Sequence, residues 1–164
     1  MESKGFTIIE LIVVVFIIIV LSVIVVANYE WGGYELELGQ SAQQLVGDLQ
    51  WAREKSISSG DKSYGVCLET QTSTYILFED KDNDLKYDAS QDILLERVRL
   101  RENILVTKLD IGVSTPTAYI VFVPPEPLVR INTDKSYVYI TLWSQKSNAT
   151  TAVFVHQSGL VEIK

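Results

Sequence analysis

The sequence has few of the side chains that most often build catalytic and metal centres. It contains one cysteine and one histidine among 164 residues. Cys67 alone allows no internal disulfide, so the fold must be held together by packing. Basic residues are also in deficit, with 14 Lys and Arg against 21 Asp and Glu, which gives a net charge of -7. This balance disfavours nonspecific binding to phosphate backbones and argues against nucleic acid as a partner.

Motifs for nucleotide binding or covalent catalysis are absent as well. The sequence has no phosphate-binding glycine loop, no nucleophile elbow and no Cys/His spacing of a metal site. His156 lies in an alternating stretch without a recognisable nucleophile or second ligand. Cys67 also lies in an alternating stretch, which predicts a small buried hydrophobic residue. We therefore expect neither enzymatic activity nor an organic cofactor.

The chain does have a long apolar segment near its amino terminus. Residues 11–27 carry no charge, and a helix from Phe6 to Ala27 would be ~33 Å long at ~1.5 Å per residue, about the thickness of a bilayer's hydrocarbon core. Glu10 lies near the edge of this segment, where a carboxylate indicates a function because it is costly in lipid. A secretory signal cleaved after Ala27 and a plain signal anchor are the simpler alternatives.

The residues Lys4-Gly5-Phe6-Thr7-Ile8-Ile9-Glu10-Leu11 resemble the processing site of type IV prepilins and of type II secretion pseudopilins. The resemblance implies that prepilin peptidase cuts between Gly5 and Phe6 and then methylates the new amine of Phe6. It also implies that Glu10 pairs with the Phe6 amine of an adjacent subunit during assembly, a charge pair that is favoured where water is scarce.

The same resemblance implies a location and a set of partners. The chain would be a single-pass protein of the inner membrane, with its carboxy-terminal domain outside the cytoplasm and its helix in a filament after assembly. Its partners would be other pilins or pseudopilins of that filament, the prepilin peptidase and the inner-membrane assembly platform. Residues 1–5 would be the leader peptide and residues 6–27 the transmembrane and assembly helix.

Residues 28–58 are predicted to be a linker followed by an amphipathic helix. Gly32-Gly33 should weaken or kink the helical chain, because each glycine costs ~1 kcal/mol relative to alanine in a helix interior. The second helix is predicted from about Leu36 to Ser58, ending before Gly60. Its apolar residues recur at intervals of three and four, which is typical of a helix that packs on a sheet. They are Leu38, Ala42, Leu45, Leu49 and Ala52.

Residues 59–164 are predicted to form an antiparallel β domain. Short alternating runs are separated by turn residues and no helical pattern lies between them, which favours two packed sheets with the helix against one of them. The fold class is therefore α+β, a long N-terminal helix packed on an antiparallel sheet or sandwich. The predicted strands are 64–69, 74–79, 93–100, 104–109, 118–123, 128–131, 137–143, 152–156 and 160–163.

Residues 42–60 and 152–163 resemble the GspH/FimT branch of the pilin-like proteins. The shared features are Ala52-Arg53 near the helix end, Gly60 before the first strand and a final hairpin that turns at Ser158-Gly159. The resemblance implies a minor subunit of a secretion pseudopilus or of a type IV pilus. The alternatives are a membrane-anchored enzyme or binding domain, and a DNA-binding minor pilin for natural transformation. In DNA-binding relatives a basic tail near the last hairpin contacts DNA, whereas residues 159–162 contain no Arg here.

One loop, residues 79–88, has the composition of a cation site. Carboxylates at alternate positions can converge on calcium when a loop curls. The loop is not an EF-hand, because Leu85 stands where the turn requires Gly and Gln91 where a bidentate Glu would bind. Calcium binding of another type and a solvated acidic turn both remain open. The candidate ligands are Asp80, Asp82, Asp84 and Asp88.

Overall fold

The computed structural model describes residues 7–124, 128–131 and 136–164; the side chains of residues 24–32, 128, 129 and 131 are not described. The described residues form one helix, α1 (Ile8–Ser59), followed by strands only. The strands are β1 (Ser63–Glu69), β2 (Thr74–Asp80), β3 (Ile93–Arg99), β4 (Ile104–Asp110), β5 (Ser114–Thr115), β6 (Thr117–Val123), β7 (Leu128–Ile131), β8 (Tyr137–Ser144), β9 (Thr150–His156) and β10 (Val161–Ile163).

Helix α1 begins at a polar cap and ends at a glycine. The hydroxyl of Thr7 accepts a hydrogen bond from the amide of Glu10 at 3.3 Å. At the other end Gly60 has a φ of 76°, a left-handed conformation that favours glycine, and its amide donates to the carbonyl of Ser56. This confirms the predicted end of the helix. The helix continues without interruption through Gly32-Gly33, where the sequence predicted a weakened joint.

The strands form two antiparallel sheets of five strands each. The order is β3-β2-β1-β6-β7 in the first sheet and β10-β9-β8-β4-β5 in the second. The nine strands expected from the sequence are confirmed to within two residues at either end. The additional strand is β5, whose two residues are too few to show an alternating pattern. The inner faces of both sheets contribute to one hydrophobic core.

The second half of α1 packs into this core. Its buried apolar side chains are the five predicted ones, and four of them have no exposed surface. The helix contacts β1 and β6 of the first sheet and β8, β9 and β10 of the second. The expectation that it would pack against one sheet is therefore wrong: α1 spans both. The hydroxyl of Ser56, also buried, donates to the carbonyl of Phe122 at 2.8 Å and fixes the last turn to β6.

The outer face of the first sheet carries a second, smaller apolar cluster. Cys67, Phe78 and Val121 are buried there beneath Leu85 and Tyr87 of the loop that follows β2. Cys67 is 5% exposed, which confirms the predicted buried residue, and burial raises the pKa of its thiol to about 12. Leu85 and Tyr87 thus anchor the loop between β2 and β3 on the sheet, whereas most of its other side chains are exposed.

Gly65 makes this cluster possible. A Cβ atom at Gly65 would lie 2.8 Å from Cζ and 2.9 Å from Cε1 of Phe78, and 3.0 Å from a methyl group of Val121. Gly65→Ala should therefore destabilise the fold by about 1–3 kcal/mol, the usual cost of overpacking a core. Gly47→Ala is the matched control, because its Cβ would meet no atom within 4 Å and alanine favours the helix by ~1 kcal/mol. Denaturant unfolding midpoints should shift in opposite directions; equal midpoints for the two variants would contradict this packing.

Candidate functional site

The first half of α1 exposes nearly all of its apolar surface. The large hydrophobic side chains from Ile8 to Val23 are between 44% and 79% exposed, and they lie on every side of the helix. Monomeric soluble proteins rarely expose a continuous apolar surface of this extent, so it requires a covering partner. We call residues 8–23 the exposed apolar segment.

Among the described residues, no helix combines the length and the hydropathy that crossing a membrane requires.

Glu10 lies in the first turn of α1. It follows Thr7 by three positions, and this spacing matches a capping box, in which an acidic or amide side chain supports the amide of the cap residue. Its carboxylate is exposed and lies at the positive end of the helix dipole. Helix capping therefore explains why an acidic residue is favourable at this position in a single chain. A role of Glu10 in assembly would require a contact with another chain.

The predicted cleavage and methylation residues, Gly5 and Phe6, lie outside the described residues. So do the side chains of residues 24–27 in the predicted transmembrane segment.

The structure brings together three of the four predicted cation ligands. One oxygen from each of Asp80, Asp82 and Asp84 lies within 4.8 Å of the other two. Asp80 is 3% exposed at the end of β2, whereas Asp82 and Asp84 are exposed. The amide of Leu85 donates to Oδ2 of Asp80 at 3.2 Å, and the amide of Asp84 donates to Oδ1 of Asp82 at 3.2 Å.

Asp88 lies outside this group and stabilises a later turn. Its Oδ1 accepts hydrogen bonds from the amide and the hydroxyl of Ser90, both at 2.8 Å. These hydrogen bonds lower the pKa of Asp88. The amide of Asp88 donates to Asp92 at 2.8 Å, so the second half of the loop is closed by its own hydrogen bonds.

A groove of about 540 Å³ between α1 and the first sheet is not apparent from the sequence. Its residues come from four elements, and the one signal in the sequence is Trp51, a large aromatic residue on an otherwise polar helix face. The Trp51 ring meets Tyr64 edge-on with centroids 6.3 Å apart. The described lining has no Ser, Cys or His side chain. It consists of Asp48, Trp51, Lys55, Tyr64, Leu77, Glu79, Leu95 and Glu96.

His156 ends β9 and supports the final hairpin. Its Nδ1 lies 2.8 Å from the hydroxyl of Ser158 and 3.1 Å from the amide of the same residue. Because the Ser158 amide is a donor, Nδ1 is the acceptor of this hydrogen bond. The imidazole therefore stabilises the turn that leads to β10.

The chain is similar in sequence to one known protein family. A family model described as "Type II transport protein GspH" matches residues 41–159. No curated protein matches the chain in sequence.

Two solved structures have a similar fold. The minor pseudopilin EpsH from the type 2 secretion system of Vibrio cholerae has a TM-score of 0.55 at 16% identity, over 78% of this chain and 96% of that one. The type IV minor pilin FimU of Pseudomonas aeruginosa strain PAO1 has a TM-score of 0.53 at 14% identity, over 79% of this chain and 90% of that one. This chain therefore has a fold similar to these two proteins over more than three quarters of its length.

Proposed function

Because this chain belongs to the family of the type II transport protein GspH, we propose that it is a minor pilin-like subunit of a type II secretion pseudopilus or a type IV pilus. The exposed apolar segment is the observation that carries this function. This segment and the buried half of α1 form one continuous helix. Any partner that covers residues 8–23 therefore also positions the β domain. Helices of neighbouring subunits can cover such a segment on all sides.

The same segment has two environments in this proposal. Before assembly, residues 6–27 hold the chain in the inner membrane as a single-pass anchor with the β domain outside the cytoplasm. The uncharged sequence of residues 11–27 supports this. Prepilin peptidase removes residues 1–5 and methylates Phe6, and the assembly platform then transfers the helix into the filament. The apolar surface is kept because it is needed in both places.

Glu10 is the assembly residue in this scheme. Its carboxylate forms an ion pair with the Phe6 amine of the adjacent subunit once lipid and neighbouring helices have excluded water. Coulomb attraction between such charges is severalfold stronger at low dielectric than in water. The exposed position of Glu10 in the first turn of α1 leaves it accessible to that amine.

We propose a structural role for the β domain. Cysteine and histidine side chains often act in catalysis or bind metals. Here Cys67 is packed in the outer apolar cluster, and His156 accepts a hydrogen bond within a turn. The last hairpin carries Leu160 and Glu162 after its turn, so its charge gives no support to DNA binding.

Cysteine cross-linking tests this function directly. Cys67 is buried, so a cysteine placed in the exposed apolar segment becomes the one reactive thiol. Phe16→Cys, at a position 66% exposed, should form a disulfide with a cysteine placed in the apolar helix of a co-expressed filament subunit when the oxidant copper phenanthroline is added. The adduct is identified by mass spectrometry.

The parent chain, with Cys67 alone, is the control and should give no adduct. A thiol reagent should label Phe16→Cys when the chain is expressed without its partners. Labelling that persists with the filament subunits present, without any cross-linked pilin, would exclude the proposed helix packing.

A further inference from the structure

Asp80 is a buried carboxylate whose hydrogen bonding is incomplete. It is 3% exposed. Oδ2 accepts the amide of Leu85, whereas Oδ1 is buried and has no hydrogen-bond donor among the described residues. A buried oxygen of this kind is unfavourable unless another group satisfies it.

Two further carboxylates lie close to that of Asp80. Oxygens of Asp82 and Asp84 lie with one of Asp80 inside a sphere in which no pair is more than 4.8 Å apart. Within the described part of the chain, none of the three forms an ion pair with Lys or Arg. Three like charges at this distance repel one another, and a cation between them would reverse the sign of the interaction.

The spacing fits a hard divalent cation. Calcium binds oxygen at 2.3–2.6 Å, so two oxygens on one calcium ion are at most about 5 Å apart. Calcium also accepts irregular coordination and completes it with water and backbone carbonyls. Hydrogen bonds within the loop explain how Asp82 is oriented, but they leave the buried oxygen of Asp80 unexplained.

We propose that Asp80, Asp82 and Asp84 bind one calcium ion, which fastens the loop between β2 and β3 to the outer face of the first sheet. Asp80 belongs to the sheet, whereas Asp82 and Asp84 belong to the loop, so a shared ion joins the two. Leu85 follows directly and covers the cluster around Phe78. Asp88, which caps its own turn, is not a ligand.

The site should be of low affinity, because three carboxylates supply fewer ligands than the six to eight that calcium takes. Extracellular modules bind calcium with dissociation constants of about 10⁻⁴–10⁻³ M. A domain outside the cytoplasm could be loaded at that affinity. The ion would then be a structural element of the displayed domain.

Thermal unfolding of the full chain in detergent tests the site. The melting temperature should be several degrees higher in calcium chloride at about 100 times the dissociation constant than in EGTA, because a ligand that binds only the folded state stabilises it. Calorimetric titration of the same protein with calcium chloride should give one saturable site. Identical melting curves and no heat of binding would overturn the proposal.

Two variants form a matched pair. Asp82→Ala and Asp88→Ala each remove one exposed carboxylate and the hydrogen bond that it accepts from the amide two residues on; Asp88→Ala also removes the hydrogen bond from the Ser90 hydroxyl. Asp82→Ala should lose the calcium-dependent rise in melting temperature, and Asp88→Ala should keep it. Equal rises in both variants would show a general ionic effect and contradict a site at Asp82. Circular dichroism in EGTA verifies that both variants are folded. The calorimetric titration of the unmodified chain tests calcium binding without relying on either variant.

Discussion

A chain carrying Glu10→Val should be inserted and cleaved normally and yet be absent from filaments. Valine makes the exposed apolar segment more apolar, so insertion is not impaired. Loss of the carboxylate leaves the Phe6 amine of the neighbouring subunit as a buried charge without its partner. Removing one member of a buried ion pair typically costs about 3–5 kcal/mol, which corresponds to a loss of more than a hundredfold in the assembly equilibrium. The measurement is the amount of mature protein in sheared or affinity-purified filaments relative to that in membranes.

The capping position of Glu10 requires its own control. Thr7 and Glu10 have capping-box spacing, and glutamine preserves the hydrogen-bonding capacity of that position while it removes the charge. If the charge pair is essential, Glu10→Gln should be excluded from filaments as strongly as Glu10→Val. Normal incorporation of Glu10→Gln with loss of Glu10→Val would show that helix capping, and not pairing with an amine, is what assembly needs.

The elements of this fold follow from two periodicities. Leu38, Ala42, Leu45, Leu49 and Ala52 recur at helical spacing, and all five are buried. Period-two alternation marks a strand most clearly where one face is in the core, as in β8, in which every second residue is buried. Local spacing carries this information, and the tertiary structure does not override it here.

The prediction of a weakened or kinked helix at the glycine pair is wrong. Gly32-Gly33 lie inside one helix, because flanking residues on both sides favour a helix and propagation is cooperative, so a local cost of ~1 kcal/mol per glycine does not interrupt it. The order of strands was also beyond local reasoning. Pairing β1 with β6 and β4 with β8 depends on contacts between residues far apart in the chain.

The acidic loop shows where site prediction succeeds and where it stops. Alternation along β2 places Asp80 on the same face as Phe78, so its burial follows once that face is known to be covered. Residue spacing does not predict that the loop itself covers this face. It also does not predict the turn that separates Asp88 from the other three carboxylates. The groove beside Trp51 is assembled from four elements and has no local signature.

Processing gives the other large expected effect. Gly5→Val should accumulate as an uncleaved precursor that stays in the membrane and never enters a filament. Glycine before the cleaved bond allows a peptidase to approach the backbone closely, and a β-branched side chain obstructs that approach. Intact-mass spectrometry of the unmodified chain should find a protein that begins at Phe6 and carries one methyl group on its amine.

Ser3→Val is the matched control for this variant, because it places the same side chain in the leader two residues from Gly5. It should be cleaved and assembled normally, whereas Gly5→Val should retain residues 1–5. A mature protein that begins at Asn28 would instead mean that a secretory peptidase removes the whole apolar segment after Ala27. The β domain would then be released without its assembly helix, and the Glu10 variants would have no effect on the mature protein. The amino-terminal mass therefore separates the filament subunit from a secreted domain in one measurement.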